Sequence, residues 1–436
     1  MQQKKIYKYV YYLNIFGFLW VLSLSIFNFV PIPYWFRFIG LYVFFVTLAI
    51  EMVVEKRWKI TFSKEKIFYI LLIVFFLWGY LYYPWDGSGE YFHYKTEQRL
   101  PLLGFGIAGL LGLNKYYSRS LIIYAMMFVS VVVCIFLCSK AGWGSIFFDE
   151  NRALLFIEMR QKYVNSHMGF NFFLNATIIG MWYMLFHSGR KRSKVQWLFY
   201  SLVFIFLSAI LLLSEGRSGF ACFLIIVSMA IVYECYKRTK WLSVLFAIVC
   251  VSLVIFVFVR KLYWKADVFF QATEEEVFAD LSESEIGLRS AMEDPRVAYW
   301  KSAFELIKEK PIVGYGISGA QERFNQVNTK YVSEAHKNWL LVLKPWYVDA
   351  HNQYIQTLME FGLIGLFLLL AIYIVPVIVS KGKNSLKLVV FFTMMSMFQS
   401  MFDMFLTGPF NTIYCILMIL CLTIKDDYLS KKESVE

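Results

Sequence analysis

Apolar runs about as long as a bilayer-spanning helix, roughly 20 residues, alternate with short polar segments along nearly the whole chain. They lie at 9–30, 35–54, 66–84, 99–114, 119–138, 168–187, 195–214, 217–236, 241–260, 351–380, 386–404 and 408–424. The pattern predicts an all-α polytopic membrane protein with about twelve transmembrane helices. It divides the chain into helices 1 to 9 over 1–260, a loop domain over 261–350, helices 10 to 12 over 351–424, and a tail over 425–436. No internal repeat stands out.

The polar segments set the orientation. Lys4, Lys5 and Lys8 precede the first run, and Lys56, Arg57, Lys59, Lys64 and Lys66 follow the second. Lys115 and Arg119 follow the fourth, Arg190, Lys191, Arg192 and Lys194 the sixth, and Lys237, Arg238 and Lys240 the eighth. Lys381, Lys383 and Lys387 follow the tenth, and Lys425, Lys431 and Lys432 the last. Every second loop is basic without a break in the alternation. By the positive-inside rule these loops and both termini are expected in the cytoplasm, in a bacterial inner membrane.

The remaining segments, Pro31–Tyr34, Pro84–Gln98, Ser139–His167, Glu215–Ser218, Lys261–Ala350 and Met404–Pro409, are expected to face the periplasm. Within Ser139–His167, FFDENRALLFIEMRQKY reads as a short amphipathic helix lying on the membrane. Lys261–Ala350 is the one segment of soluble-domain size. Its RVAYWKSAFELIKEKP has apolar residues at helical spacing with Pro311 as a stop, and GYGISG reads as a turn, so this periplasmic loop is expected to be mostly helical.

Composition agrees. Of 436 residues, 59% are hydrophobic and 17% charged, against about 45–50% and about 25% in soluble proteins, so lipid is the solvent for much of the chain. Most of the net charge of +12 is accounted for by the cytoplasmic loops; the remainder suits anionic lipid or phosphate. The basic residues are scattered between apolar runs, which argues against nucleic-acid binding. The seven cysteines, Cys134, Cys138, Cys222, Cys235, Cys250, Cys415 and Cys421, lie in or beside apolar runs and imply neither a disulfide framework nor a metal site. The first apolar run is too long, and lacks the small-residue site, for a cleaved signal.

Against that background the outward-facing polar residues stand out. Arg217 sits in SEGRSGF, a tight turn with Gly216 and Gly219 beside it. It reads either as a snorkelling anchor or as a cation that small neighbours leave open to a ligand. Arg296, in DPRVAYW, shares a helix face with Trp300. It is either a surface partner of Glu293 or Asp294, or a second cation for a phosphate-bearing ligand. His351 opens the tenth run in DAHNQYIQTLMEFGLIG, where Asp349 is placed to cap the helix. Asn352, Gln356 and Glu360 recur at i+4, a polar stripe expected to face the bundle interior or a wet cavity, with His351 at its outer mouth. His336, in EAHKNW, is an alternative. Arg99, Arg152, Arg160, Lys162 and His167 are weaker candidates that could add to a basic cleft, and Asp403, near the outer end of the eleventh run, is a further weak candidate; each reads first as structural.

Two arginines can clamp a pyrophosphate and stabilise the charge that develops as it leaves. A neutral histidine can take a proton from an attacking hydroxyl. The set suits glycan transfer from a lipid pyrophosphate, and no Asp-rich motif is present to hold Mg²⁺.

At these residues the chain resembles the O-antigen ligase / O-antigen polymerase superfamily of polytopic, GT-C-like membrane glycosyltransferases. Three pieces carry the likeness. SEGRSGF is similar to the family's Ser-Arg-Gly-like turn at Arg217, although Glu215-Gly216 stands where Ser or Thr is more usual. RVAYWKSAFELIKEKPIVGYGISG is similar to its Arg-x-x-x-Trp … Pro-hydrophobic-x-Gly-x-Gly pattern at Arg296, Trp300, Pro311, Gly314 and Gly316. HNQYIQTLMEFGLIG is similar to its His-Asn-x-Tyr … Glu-x-Gly-hydrophobic-x-Gly pattern at His351, Asn352, Tyr354, Glu360, Gly362 and Gly365.

The resemblance covers 210–370 and implies an enzyme without nucleotide cofactor or metal. Its donor would be an undecaprenyl-pyrophosphate-linked glycan, bound by Arg217 and Arg296. His351 would act on the acceptor hydroxyl, with Trp300, Asn352 and Tyr354 lining the substrate site. The acceptor would be lipid A–core, for a ligase acting in lipopolysaccharide biosynthesis, or a growing glycan, for an O-antigen or exopolysaccharide polymerase. A secondary transporter is the rival of another class, since about twelve spans is a common transporter size; transporters, however, place their charged residues near the bilayer midplane.

Overall fold

The computed structural model describes residues 2–24, 34–55, 62–86, 90–114, 116–143, 150–164, 166–189, 192–214, 217–238, 296–331 and 349–424. The elements are helices: α1 (Gln2–Leu24), α2 (Tyr34–Glu55), α3 (Lys66–Tyr80), α4 (Tyr83–Asp86), α5 (Glu90–Leu111), α6 (Arg119–Ala141), α7 (Glu150–Tyr163) and α8 (His167–Phe186). They continue as α9 (Lys194–Leu213), α10 (Arg217–Arg238), α11 (Arg296–Glu309), α12 (Ile317–Asn328), α13 (Gln353–Val379), α14 (Leu386–Gln399) and α15 (Gly408–Leu422). Each expected span is a helix except 241–260, which lies outside the described residues.

Among the described residues, five segments are long and apolar enough to cross a membrane: α6, α8, α9, Ser218–Lys237 within α10, and α13. Lys66–Tyr80, Leu386–Gln399 and Phe410–Leu422 are shorter apolar helices. The chain is a membrane protein. Its centre is α8, buried at every residue from Met168 to Met184 and packed among α6, α9, α10 and α14. A helix apolar all round belongs inside a bundle. By contrast Phe199, Leu202, Ile205, Leu212 and Phe367 are exposed on the outside, as lipid-facing residues are.

The loops sort to two ends. At one, Lys383 pairs with Glu65, Lys387 Nζ lies 3.0 Å from His187 Nδ1, and Arg119 donates to the carbonyls of Leu420 and Ile424 at the end of α15. A guanidinium there satisfies terminal carbonyls and complements the helix dipole. These are the basic loops of the alternating pattern. The opposite end gathers the start of α5, the α11–α12 hairpin, the segment before α13 and the α14–α15 turn.

Two expectations are adjusted. Pro84–Gln98, read as a loop, is largely helical: α4 and the first turns of α5 occupy it, and α5 continues through Pro101. One face of it, Tyr91 and Lys95 with Phe92 between them, packs inward and continues into buried Arg99, while Glu90, His93, Tyr94 and Glu97 are exposed. The amphipathic segment after Ser139 does form helix α7. It packs on α6 with Phe156 and Arg160 buried.

The motif glycines make one joint. α13 breaks at Gly362, at φ 60° and ψ −158°, a region open essentially to glycine alone. The break frees the Met359 and Glu360 carbonyls from their i+4 partners, Leu363 and Ile364. The α11–α12 turn takes up all four groups. Tyr315 N–H donates to Met359 O at 2.9 Å and Gly316 N–H to Glu360 O at 2.8 Å. Leu363 N–H donates to Pro311 O at 2.8 Å and Ile364 N–H to Ile312 O at 3.3 Å. Backbones must almost touch for this exchange: a Cβ on Gly362 would fall 2.3 Å from Ile312 C, and one on Gly314 2.5 Å from Glu360 C. The hairpin then packs Tyr299, Leu306, Phe324 and Val327 against Ile355 and Met359 of the first half of α13.

Gly362→Ala should therefore destabilise the fold by at least about 1–3 kcal/mol. Thermal unfolding in detergent checks this, with Leu363→Ala, at an exposed neighbour, expected to sit near the parent.

Candidate active site

His351 lies two residues before α13 at φ 45°, the one non-glycine residue with positive φ among the described residues. Such a conformation costs free energy and persists only where its surroundings fix it. Here they do. His351 N–H donates to Asp349 Oδ1 at 2.9 Å, and Ala350 N–H to Gln356 Oε1 at 3.1 Å. Trp300 Nε1 donates to the Ala350 carbonyl at 3.0 Å. Asn352, rather than Asp349, caps α13: its Oδ1 accepts from the N–H groups of Tyr354 and Ile355, and its Nδ2 donates to Met401 O. Asp349 instead serves His351, with Oδ1 3.5 Å from Nδ1. A carboxylate on that side favours the tautomer with Nδ1 protonated and Nε2 bearing the lone pair.

The polar stripe turns inward as expected. Gln356 and Glu360 are buried, and Gln356 Nε2 donates to Glu360 Oε1 at 2.9 Å. The other carboxylate oxygen accepts from Arg99 Nη2 at 2.5 Å, with both side chains buried. The Arg99 guanidinium also lies 5.2 Å from the Phe361 ring centroid. A chain of contacts therefore runs Arg99, Glu360, Gln356, Ala350 to the residue beside His351. Arg99 was legible only as a basic residue at the edge of an apolar run. The i+4 stripe was a clear signal for one side of this pair and silent about the other.

Arg296 begins α11 and is partly exposed. Tyr299, on the next turn, stacks on His351 with ring centroids 6.2 Å apart and planes at 27°. Asp403, in the α14–α15 turn, belongs to the same cluster. Burial raises its pKa to about 6 and the Asp349 charge adds to this, opposed by the Met404 N–H, His351 and Arg296. The turn is tied to the His351 segment by Gln353 N–H to Ser400 O at 2.8 Å and Leu406 N–H to Gln353 Oε1 at 2.8 Å. Arg296, Asp349, His351 and Asp403 thus share one field, at the end of the bundle away from the basic loops.

Arg217 is the first residue of α10, beside the start of α8. Ser214 Oγ donates to Asn171 Oδ1 at 2.8 Å and Asn175 Nδ2 to Gly219 O at 3.0 Å. A Cβ on Gly219 would fall 2.5 Å from Asn171 Cβ, so this glycine lets α10 approach α8. The Arg217 side chain, the Arg152 side chain, Gly216 and His336 lie outside the described residues.

Of the other candidates, Trp300 and Asn352 hold the His351 segment, and the Tyr354 hydroxyl donates to Met397 O at 2.9 Å. Arg160 is buried under α7, while Lys162 and His167 are exposed. Among the described residues no group of His, Cys, Asp and Glu is arranged to hold a metal ion.

Residues 202–370 match the family model described as O-antigen ligase. The match includes Arg217, Arg296, His351 and both glycine motifs, so over this region the chain is similar to that family. The family covers O-antigen ligases and polymerases. An uncharacterized protein of Haemophilus influenzae (strain ATCC 51907 / DSM 11121 / KW20 / Rd) is 25% identical over 167 residues, 38% of this chain and 39% of the relative. The chain thus covers well under half the length of that curated relative.

Glu360→Ala strands a buried guanidinium and should cost about 3–5 kcal/mol, whereas the paired Arg99→Met/Glu360→Met variant should recover most of it. Thermal unfolding of the three proteins checks this. The Asp403 carboxyl has a native pKa of about 6 against an ordinary value of 3.8, so between these values the native state holds a proton that the unfolded chain has released. Its contribution to stability is present below that window and is lost as pH rises through about 6. Melting temperature should fall across that interval in the parent and less steeply in Asp403→Asn.

Proposed function

We propose that this protein is a periplasm-facing glycosyltransferase of the bacterial inner membrane. It transfers a glycan from undecaprenyl pyrophosphate to a sugar hydroxyl of lipid A–core, as an O-antigen ligase. The observation that carries the reading is the strained His351, oriented by Asp349 and stacked on Tyr299, in one electrostatic cluster with Arg296. All of it lies within the matched region, at the bundle end away from the basic loops.

In this reading His351 Nε2 accepts the proton of the acceptor hydroxyl as that oxygen attacks the anomeric carbon. The bond from the anomeric carbon to the phosphate oxygen breaks, and its electron pair leaves on the diphosphate. Arg217 and Arg296 hold the diphosphate and stabilise its growing charge through two-pronged contacts. Asp349 offsets the positive charge His351 acquires. The chemistry draws on the chain's own side chains, with no metal or nucleotide. The second reading is a glycan polymerase, which differs only in the acceptor and which the matched family includes.

Proteoliposomes supplied with a lipid-pyrophosphate glycan and rough lipopolysaccharide test the proposal. Arg217→Ala, Arg296→Ala and His351→Ala should each lower transfer by at least about 10²-fold while the protein still inserts. Arg→Lys at either arginine should also impair transfer, because an ammonium lacks the planar fork. Normal activity in all three alanine variants overturns the site, and inhibition by EDTA reversed by Mg²⁺ overturns the metal-free chemistry. A deletion strain separates the two readings: long lipid-linked chains accumulate when ligation is lost, single repeats when polymerisation is lost.

A further inference from the structure

The outer half of α5 carries a buried cationic stripe that the proposed reaction does not use. Tyr91, Lys95 and Arg99 recur at i+4, so they share one helix face with about 6 Å of rise between them. All three are buried, Lys95 at 6% and Arg99 at 3% exposure. Only one carboxylate meets this pair among the described residues: Glu360, bonded to Arg99 Nη2. Arg99 Nε and Nη1 have no hydrogen-bond partner there. Lys95 Nζ meets two aromatic faces, 5.6 Å from the Tyr91 ring centroid and 5.9 Å from that of Tyr94. Aromatic faces offset only part of the cost of desolvating an ammonium. Two buried cations against one carboxylate, with charged donors left over, is an environment that an anion completes.

The stripe faces the active site. Tyr91 OH donates to Gln321 Oε1 of α12 at 2.7 Å, and the charges of both Glu360 and Asp349 reach its phenol. Asp349 is the residue that orients His351. The cationic face of α5 and the catalytic segment therefore border the same region, joined below by Arg99, Glu360 and Gln356.

We propose that Lys95 and Arg99 form a second anion site that takes the phosphate or diphosphate group of the acceptor lipid, separate from the donor diphosphate assigned to Arg217 and Arg296. This rests on the transferase reading of the same site. A transferase joining two lipid-anchored glycans must hold two lipids at once. A phosphate-type group on the acceptor gives it a fixed point from which its sugar hydroxyl can reach His351.

The test uses the full-length protein purified in detergent, in an Arg217→Ala/Arg296→Ala background that removes the assigned donor site. Binding of inorganic pyrophosphate and of farnesyl diphosphate is measured by equilibrium titration. The background protein should still bind, and adding Lys95→Met should weaken that binding about tenfold or more, while Lys95→Arg retains it. The paired Arg99→Met/Glu360→Met change, which leaves no buried charge stranded, should weaken binding similarly. Tighter binding of the farnesyl probe identifies a lipid headgroup as the ligand; equal binding of both identifies a free phosphate species. In turnover, Lys95→Met in the otherwise native protein should raise the acceptor KM and leave the donor KM near the parent value. A background protein that binds neither probe, or affinity within about twofold after Lys95→Met, overturns the second site and leaves the donor assignment intact. A background protein that binds as tightly as the parent overturns the donor assignment and leaves the Lys95 comparison valid.

Discussion

The arrangement at the end of the bundle away from the basic loops depends on one backbone exchange: four hydrogen bonds between the Pro311–Gly316 turn and the break in α13 at Gly362. A helix interrupted inside a membrane protein has to find partners for its orphaned groups, because lipid offers none. Here the partners come from the α11–α12 hairpin, and their geometry admits no side chain at Gly314 or Gly362. The exchange fixes the hairpin on α13. It thereby brings Arg296, Tyr299 and Trp300 on one element to Asp349, His351 and Asn352 on the other.

A second constraint lies one layer inward. Glu360 supplies its carbonyl to that exchange and its carboxylate to Arg99. Through Gln356 the same side chain reaches the Ala350 N–H. The strained backbone at His351 is thus held from inside by buried polar contacts and from outside by Trp300 and the α14–α15 turn. Buried charge of this kind is expensive, and its partial satisfaction at Arg99 and Lys95 marks the region as one built around ligand rather than around packing.

Much of this was legible in the sequence. Run lengths located the five long apolar candidate spans and the three shorter apolar helices among the described residues, because hydrocarbon thickness leaves little freedom in length. The alternation of basic loops matches the sorting of contacts onto two ends, and the Asn352, Gln356, Glu360 spacing identified an inward polar face. Other features resist a linear reading. Hydropathy reads Tyr91 and Lys95 as loop and Arg99 as the edge of a span, since it cannot tell a polar residue in water from one buried against a partner 261 positions away, as Arg99 is. Asp349 reads as the helix cap, whereas Asn352 is the residue that caps α13, which the sequence spacing does not decide. Gly219 reads as room for a ligand, whereas Asn171 of α8 shows that the room is taken by a neighbouring helix. The pairing of the two glycine motifs is invisible as well, since each reads as an independent turn or kink.

The proposed transfer needs two arginines and one histidine to meet around a diphosphate. An experimental structure of the protein with an undecaprenyl-diphosphate analogue bound tests it most directly. The account predicts the diphosphate within hydrogen-bond reach of the Arg217 and Arg296 guanidiniums, with the first sugar presented to His351 Nε2. A diphosphate bound at the basic-loop end, or one that leaves Arg217 pointing away from His351, contradicts it.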